Sequence, residues 1–264
     1  LFTSGCGADI NPIPRGSFEL AEQHGRALAD AADRALARPL TRVEGSFASA
    51  MEDITLSFAR KPTSAELREA MEKEQPSKAM HQAWSASLTE QLRTKGDAIL
   101  SYAYPIQVWK LGALSWAALG GEVVVDYALR LRSEHQGNLW VFGYSTDVMA
   151  YIPNERVLRE GRYEGATSMV PYARPSPWTP GLEEKIVAKT RDLLTTAATL
   201  TAPLAERARA LQQLALVASA DAVPALAALL ADEKLGHYAR DVLEQMAHVD
   251  ADTALLSALP RLTG

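Results

Sequence analysis

Two adjacent glycines, Gly120 and Gly121, separate the apolar run Leu114-Ser115-Trp116-Ala117-Ala118-Leu119 from Glu122-Val123-Val124-Val125-Asp126-Tyr127. Glycine pairs let a backbone turn sharply and approach other groups closely. The run before them has the composition of a strand. The run after them fits a helix from Glu122 to about Glu134, continued by Val125, Leu129 and Arg132 despite its three valines. Glu122 is therefore expected where a strand turns into a helix, a frequent place for function in α/β proteins. Two tyrosines follow on the same stretch of chain, Tyr151 and Tyr163, twelve positions apart. A carboxylate behind a tight turn, with tyrosine hydroxyls to follow, reads as half of a metal-dependent hydrolase site.

The surrounding pattern is that of a mixed domain. Gly5, Gly7, Asp9, Asn11, Pro12 and Pro14 mark a loop from Ser4 to Pro14. Ser17 is an N-cap candidate for a helix reaching about Arg38, with Phe18, Leu20, Ala21, Ala27, Leu28 and Ala31 at helical spacing. Residues 45–60 alternate like a strand, with Ile54, Leu56 and Phe58 on one face. Thr63 and Glu66 have the spacing of a capping box for a helix ending near Glu74, which Pro76 breaks. A further helix is expected from Ser77 to Thr94, then strands at 98–103, 106–110, 114–119 and 139–144. The stretch 145–180 carries little regular pattern and much Pro, Gly, Tyr and Arg. Loops that long in compact domains are usually functional or disordered; the aromatics favour order. A helix from Glu183 to about Thr196 closes the unit.

Near residue 200 the composition changes to Ala, Leu and polar residues without Trp or Phe. Arg207-Ala208-Arg209-Ala210-Leu211 is echoed by Tyr238-Ala239-Arg240-Asp241-Val242, and Ala222 to Leu230 by Thr253 to Leu259. An offset of about 30 residues is the mark of stacked helical pairs. The tail resembles HEAT-like repeats, a surface on which a protein partner could dock. The fold expected is thus an α/β (mixed α+β) catalytic-domain fragment over residues 1–200, followed by all-α HEAT-like repeats over 201–264. The chain begins with Leu1, and Leu1 to Gly5 reads as the end of an apolar strand entering a loop, so residues are expected upstream.

Composition removes several function classes. The net charge of -5 over 264 residues offers no large basic field for nucleic acid. No run of about 18 apolar residues exists to span a membrane. The single cysteine, Cys6, excludes an internal disulfide and a cysteine zinc site; it lies between two glycines with no matched base, so a nucleophilic role has little support. No Gly-x-Ser-x-Gly elbow occurs. Trp109, Trp116, Trp140 and Trp178 read as packing residues, Trp178 with the alternative of lining an acyl-chain groove. Arg156, Arg159 and Arg162 read as a solvated basic face.

Phe2-Thr3-Ser4-Gly5-Cys6-Gly7-Ala8-Asp9-Ile10-Asn11-Pro12, the Gly-Gly-Glu122 turn, Tyr151-Ile152 and Tyr163-Glu164-Gly165 together resemble the neutral/alkaline, non-lysosomal ceramidase family over residues 1–195. The similarity is to the C-terminal half of that family's catalytic domain. It implies a zinc amidohydrolase that cleaves the amide of N-acyl sphingosines, with Zn2+ held by two histidines, a glutamate and a tyrosine. Residue by residue, Glu122 resembles the glutamate ligand, Tyr151 the tyrosine ligand and Tyr163 the donor to the substrate carbonyl. The two histidine ligands are expected upstream; none of His24, His81, His135, His237 or His248 stands in a matching motif. Asp9 matches the first loop of the family, where Asn11 replaces a serine before proline. Asparagine can still donate a hydrogen bond, so Asp9 and Asn11 are expected to shape the pocket, or else to form Asx-turns beside the prolines. The resemblance further implies a bacterial enzyme that is secreted, periplasmic or membrane-associated, acting on N-acyl lipids or other amides.

Overall fold

A computed structural model of the chain describes residues 3–72, 77–198, 208, 211–212 and 220–259. Helix α1 spans Phe18–Leu36, strand β1 Phe47–Ser57, α2 Ser64–Glu72 and α3 Lys78–Lys95. A 3-10 turn at Gly96–Leu100 leads into β2, Ser101–Leu111, and β3, Leu114–Leu119. Then come β4 (Glu122–Val123), α4 (Val125–Glu134), β5 (Asn138–Phe142), β6 (Tyr151–Ile152), α5 (Glu155–Glu160), α6 (Arg162–Gly165) and α7 (Leu182–Ala198).

The main sheet has the order β1-β2-β3-β5. Its first three strands are antiparallel, with Ala50 opposite Val108 and Val108 opposite Ala117. β5 adds in parallel, Ala117 opposite Val141; a parallel return needs a crossover, and α4 supplies it. Alternation fixes the buried face. On β3, Ser115, Ala117 and Leu119 are buried and their neighbours only partly so, as period-two geometry requires. α7 lies against β1 and β2. Its buried stripe is Leu182, Ile186, Val187, Thr190, Leu193, Leu194 and Ala197, the spacing of one helical face. Each large apolar member contributes about 1.5–3 kcal/mol by leaving water. Arg130 of α4 reaches Glu183 at 2.7 Å and Glu184 at 2.6 Å, which ties the crossover helix to α7.

Local signals form as expected at several points. The Ser17 hydroxyl accepts from Leu20 N at 3.3 Å. Thr63 and Glu66 form a reciprocal capping box: Glu66 N donates to Thr63 Oγ1 at 3.2 Å, and Thr63 N to Glu66 Oε2 at 2.7 Å. The expected end of that helix at Glu74, and Pro76, lie outside the described residues. Three expectations are corrected. Residues 98–100 form the 3-10 turn, and β2 starts at Ser101 and runs through Pro105 without a break. Glu122 does not open the helix: it lies in β4, and α4 begins at Val125 because β6 claims the backbone of residues 122–124. The 145–180 stretch is built from short elements, β6, α5, α6 and a 3-10 turn at Thr167–Met169. α1 has no buried residue, and Phe18 and Leu28 on it are 93% and 64% exposed.

The tail has a core of its own. Helices α8 (Val223–Leu229), α9 (Gly236–Gln245) and α10 (Val249–Ala258) enclose Val223, Leu226, Leu230, Leu235, Ala239, Val242, Leu243 and Ala251. Arg207, Arg209 and Ala210, the first half of the expected repeat echo, lie outside the described residues. Among the described residues no helix is long and apolar enough to cross a membrane.

Candidate active site

The Gly-Gly turn delivers Glu122 to the edge of a second, two-stranded sheet. Gly121 has φ +78°, the left-handed region that glycine occupies without penalty. Its N–H donates to Asp147 O at 2.6 Å, Glu122 N to Ala150 O at 2.8 Å and Val124 N to Ile152 O at 3.3 Å. These bonds lay β4 parallel to β6 and set Glu122 directly opposite Tyr151. The partner strand is anchored in turn. Trp178 Nε1 donates to Tyr151 O at 2.8 Å, and the Trp178 ring, 1% exposed, stacks on Phe58 at 4.1 Å between centroids. Trp178 is therefore core and lines no open groove.

Four tyrosines gather at the half-buried Glu122 carboxylate. Tyr144 Oη donates to Glu122 Oε2 at 3.3 Å and Tyr172 Oη donates to Oε1, while Tyr151 stands opposite Glu122 across the β4–β6 pair. The ring of Tyr163 meets that of Tyr151 edge-on, 5.4 Å between centroids and 76° between planes, while Tyr172 lies 6.3 Å from Tyr151. Burial first, then the Glu122 charge, pushes the Tyr144 hydroxyl up to about 12. Burial first, then the Glu122 charge for Tyr151 and the Glu122 hydrogen bond for Tyr172, raise these two above the usual tyrosine value. Phenols so placed stay protonated at neutral pH. Among the described residues no Lys, Arg or His pairs with Glu122.

The first loop is stitched to this turn. Ala8 N donates to Val123 O at 3.2 Å, and Gly143 N to Ser4 O at 3.2 Å. Asp9 Oδ1 accepts from Val125 N at 2.9 Å. Val124, the cap residue of α4, has no capping bond from its own side chain, so Asp9 satisfies a free N–H of the first turn from a distant loop and places a negative charge at the helix N-terminus. Asn11 is exposed two residues further on, and among the described residues its side chain makes no hydrogen bond to the Glu122 group. Cys6 is buried beneath the loop, and burial pushes its thiol up to about 12, the opposite of an activated nucleophile.

The fold thus brings Glu122, Tyr151 and Tyr163 together and sets Asp9 one layer behind them. Tyr144 and Tyr172 belong to the group and were not singled out by sequence. Tyr172 sits between Pro171 and Pro175 in a stretch with little periodic pattern, and that aromatic flanked by prolines is the one available signal. The five histidines contribute nothing here: His24 bonds Pro14 O at 2.8 Å, His81 bonds Ser77, and His248 caps α10. Among the described residues no cluster of three or more His, Cys, Asp and Glu is able to hold a metal. The oxygen donors present, one carboxylate and one phenol opposite it, suit two of the four positions of a tetrahedral zinc. Of the other sequence candidates, Arg156 pairs with Asp126 at 3.0 Å and Glu160 at 2.9 Å on the surface, as a solvated face should. Trp140 is 55% exposed and so is only partly a packing residue.

No protein-family model matches the chain, and no curated protein matches it.

Proposed function

We propose that this chain is part of a zinc-dependent amidohydrolase of the neutral ceramidase type, cleaving the amide bond of a ceramide-like or other N-acyl lipid. The observation behind this reading is the β4–β6 register: Glu122 and Tyr151, the two residues that resemble zinc ligands, stand opposite each other. Tyr163, which resembles the carbonyl donor, touches the Tyr151 ring. Zinc, when bound, would lower the pKa of its water to about 7 and polarise the scissile carbonyl.

The chain's own residues would do the following. Glu122 supplies an anionic oxygen to the cation and has no competing ion pair among the described residues. Tyr151 offers a phenol oxygen; burial and the Glu122 charge raise its hydroxyl above the usual tyrosine value, and a bound cation would favour loss of that proton. Tyr163, 48% exposed, keeps its hydroxyl free to donate to the carbonyl oxygen as negative charge develops there. Asp9 fixes the start of α4 and so the exit of the chain from Glu122. Asn11 offers an amide to orient the substrate. The remaining two ligands would be histidines outside this chain. The tail helices α8 to α10 would begin a HEAT-like array.

Metal analysis and hydrolysis of a panel of N-acyl amides by the full-length protein, beside Glu122→Ala, test this reading. Stoichiometric zinc and turnover are expected from the natural protein, and loss of both from the variant. Activity that survives Glu122→Ala removes the central claim. The 264-residue chain alone is expected to bind zinc weakly and to turn nothing over.

The exposed Asn11 in place of serine favours a second reading: a silent hydrolase domain whose tail binds a protein. Absence of zinc and of turnover in the full-length protein, with a partner retained by residues 201–264, would favour it.

A further inference from the structure

The two tyrosines that the proposed function leaves unused take hold of different oxygens of one carboxylate. Tyr144 approaches Glu122 Oε2 from the end of β5, and Tyr172 approaches Oε1 from the turn after residues 167–169. Both are delivered by backbone that non-glycine residues rarely adopt. Tyr144 itself has φ +53°, and Ala173, next to Tyr172, has φ +52°. Left-handed backbone is unfavourable for non-glycine residues, and such residues cluster where the surrounding structure holds a side chain to a task. Tyr144 is pinned there by its own N–H, which donates to Gly121 O at 2.9 Å. The turn that fixes Glu122 thus also fixes the residue that grips it. Tyr172 is pinned by its neighbours: Arg174 N donates to Met169 O at 2.9 Å, and Arg174 Nε donates to Met149 O at 2.9 Å.

We propose that Tyr172 and Tyr144 are positioning residues for Glu122, one phenol on each carboxylate oxygen, holding it in the orientation in which it meets a divalent cation. This role rests on the zinc reading above. A carboxylate has about four acceptor directions. These phenols take one direction on each oxygen and so restrict rotation of the carboxylate. Neither tyrosine touches the cation or the substrate; they act through Glu122, as outer hydrogen-bond partners of metal ligands do.

The test is zinc affinity of the full-length protein, measured by competition with a chromogenic chelator, for the natural protein, Tyr172→Phe, Tyr144→Phe and Tyr151→Phe. Phenylalanine keeps the ring, and urea midpoints serve as the folding check. Tyr172→Phe is expected to weaken zinc by about 10–100-fold, the usual loss when an outer partner is removed. Tyr144→Phe, with its longer bond, should lose less. The second readout is the tyrosinate absorbance near 295 nm that appears when zinc is added. It should persist in Tyr172→Phe and Tyr144→Phe at saturating zinc and vanish in Tyr151→Phe. Affinity of Tyr172→Phe within twofold of the natural protein overturns the positioning role while leaving the zinc reading intact. Loss of the absorbance in Tyr172→Phe overturns it differently, by making Tyr172 a ligand. No zinc binding by the natural protein overturns the zinc reading and this role with it.

Discussion

Replacing Gly121 by alanine should damage both the fold and the site, and the size of the damage follows from the backbone. Position 121 has φ +78°, so any Cβ adds about 1–2 kcal/mol of local strain. An ideal Cβ there would also lie 2.6 Å from Ile152 Cγ1 and 2.7 Å from Ala150 O. The first neighbour belongs to a fully buried side chain and the second is the carbonyl just before β6 that receives the Glu122 N–H. Neither yields cheaply, and overpacking of this kind costs about 1–3 kcal/mol. Alanine restricts the unfolded chain and returns about 0.4–1 kcal/mol. The net loss should be about 2–4 kcal/mol, a large part of the about 5–15 kcal/mol of a typical domain. In urea this moves the midpoint by about 1 M or more. Gly120→Ala is the control. Its Cβ would meet the tip of the buried Met149 at 3.0 Å and Asp147 O and Pro105 Cγ each at 3.3 Å, but its φ lies outside the left-handed range, so a loss of about 1–2 kcal/mol, smaller than at Gly121, is expected. A Gly121→Ala midpoint within about 0.5 kcal/mol of the natural chain, or no lower than that of Gly120→Ala, would refute the account of the turn.

Two further outcomes follow. Cys6 should resist alkylation, because burial raises its thiol from 9.0 to about 12 and disfavours the thiolate. Its folded value lies above its unfolded one, so the stabilising effect is complete below about pH 9 and disappears as the pH rises through about 12. Mass spectrometry after iodoacetamide at pH 8.5 should find slow modification in the native chain and rapid modification in urea; equal rates would contradict the burial. Trp178→Ala should cost about 3–5 kcal/mol in urea, since it empties the space against Phe58 and strips the hydrogen bond from Tyr151 O; a loss under about 1 kcal/mol would mean that β6 is anchored elsewhere.

Much of the fold was legible where the signal is local. Ser17 and the Thr63–Glu66 box mark helix starts because a capping side chain and its N–H are three residues apart. The β3 run was legible because alternation and burial are the same fact on a one-sided sheet. What failed was set by distant partners. Glu122 to Val124 continues the helical pattern of α4 unbroken, yet β6, almost thirty residues later, takes its N–H groups and turns two residues into strand. No periodicity within residues 122–134 can announce that bond. Likewise Ala98–Leu100 is apolar enough for the start of a strand, and closes instead within the 3-10 turn Gly96–Leu100 that follows α3. The site divides in the same way. Glu122, Tyr151 and Tyr163 came from motifs held in order along the chain, and the fold gathers them. Tyr144 and Tyr172 have no motif. Their membership depends on left-handed backbone at residues 144 and 173 that a tyrosine and an alanine do not advertise.

The first loop separates the two ends of the proposed chemistry. Asp9 spends its carboxylate on Val125 N, and Ala8 is bonded to Val123 O. Through these bonds the loop determines where β4 ends and α4 begins, and therefore the direction in which Glu122 leaves the backbone. In the proposed chemistry Asp9 would thus act through the backbone that positions Glu122. Beyond it the loop is released: Ile10 is 57% exposed and Asn11 faces solvent. A change at position 11 consequently leaves the Glu122–Tyr151 pair untouched and alters only what approaches it from outside. If the zinc reading holds, asparagine in place of serine should act on which amide is accepted and how it is oriented, and not on whether the metal binds. That is why zinc affinity and the substrate panel are separate measurements, and why zinc retained with ceramide refused would point to a different N-acyl substrate.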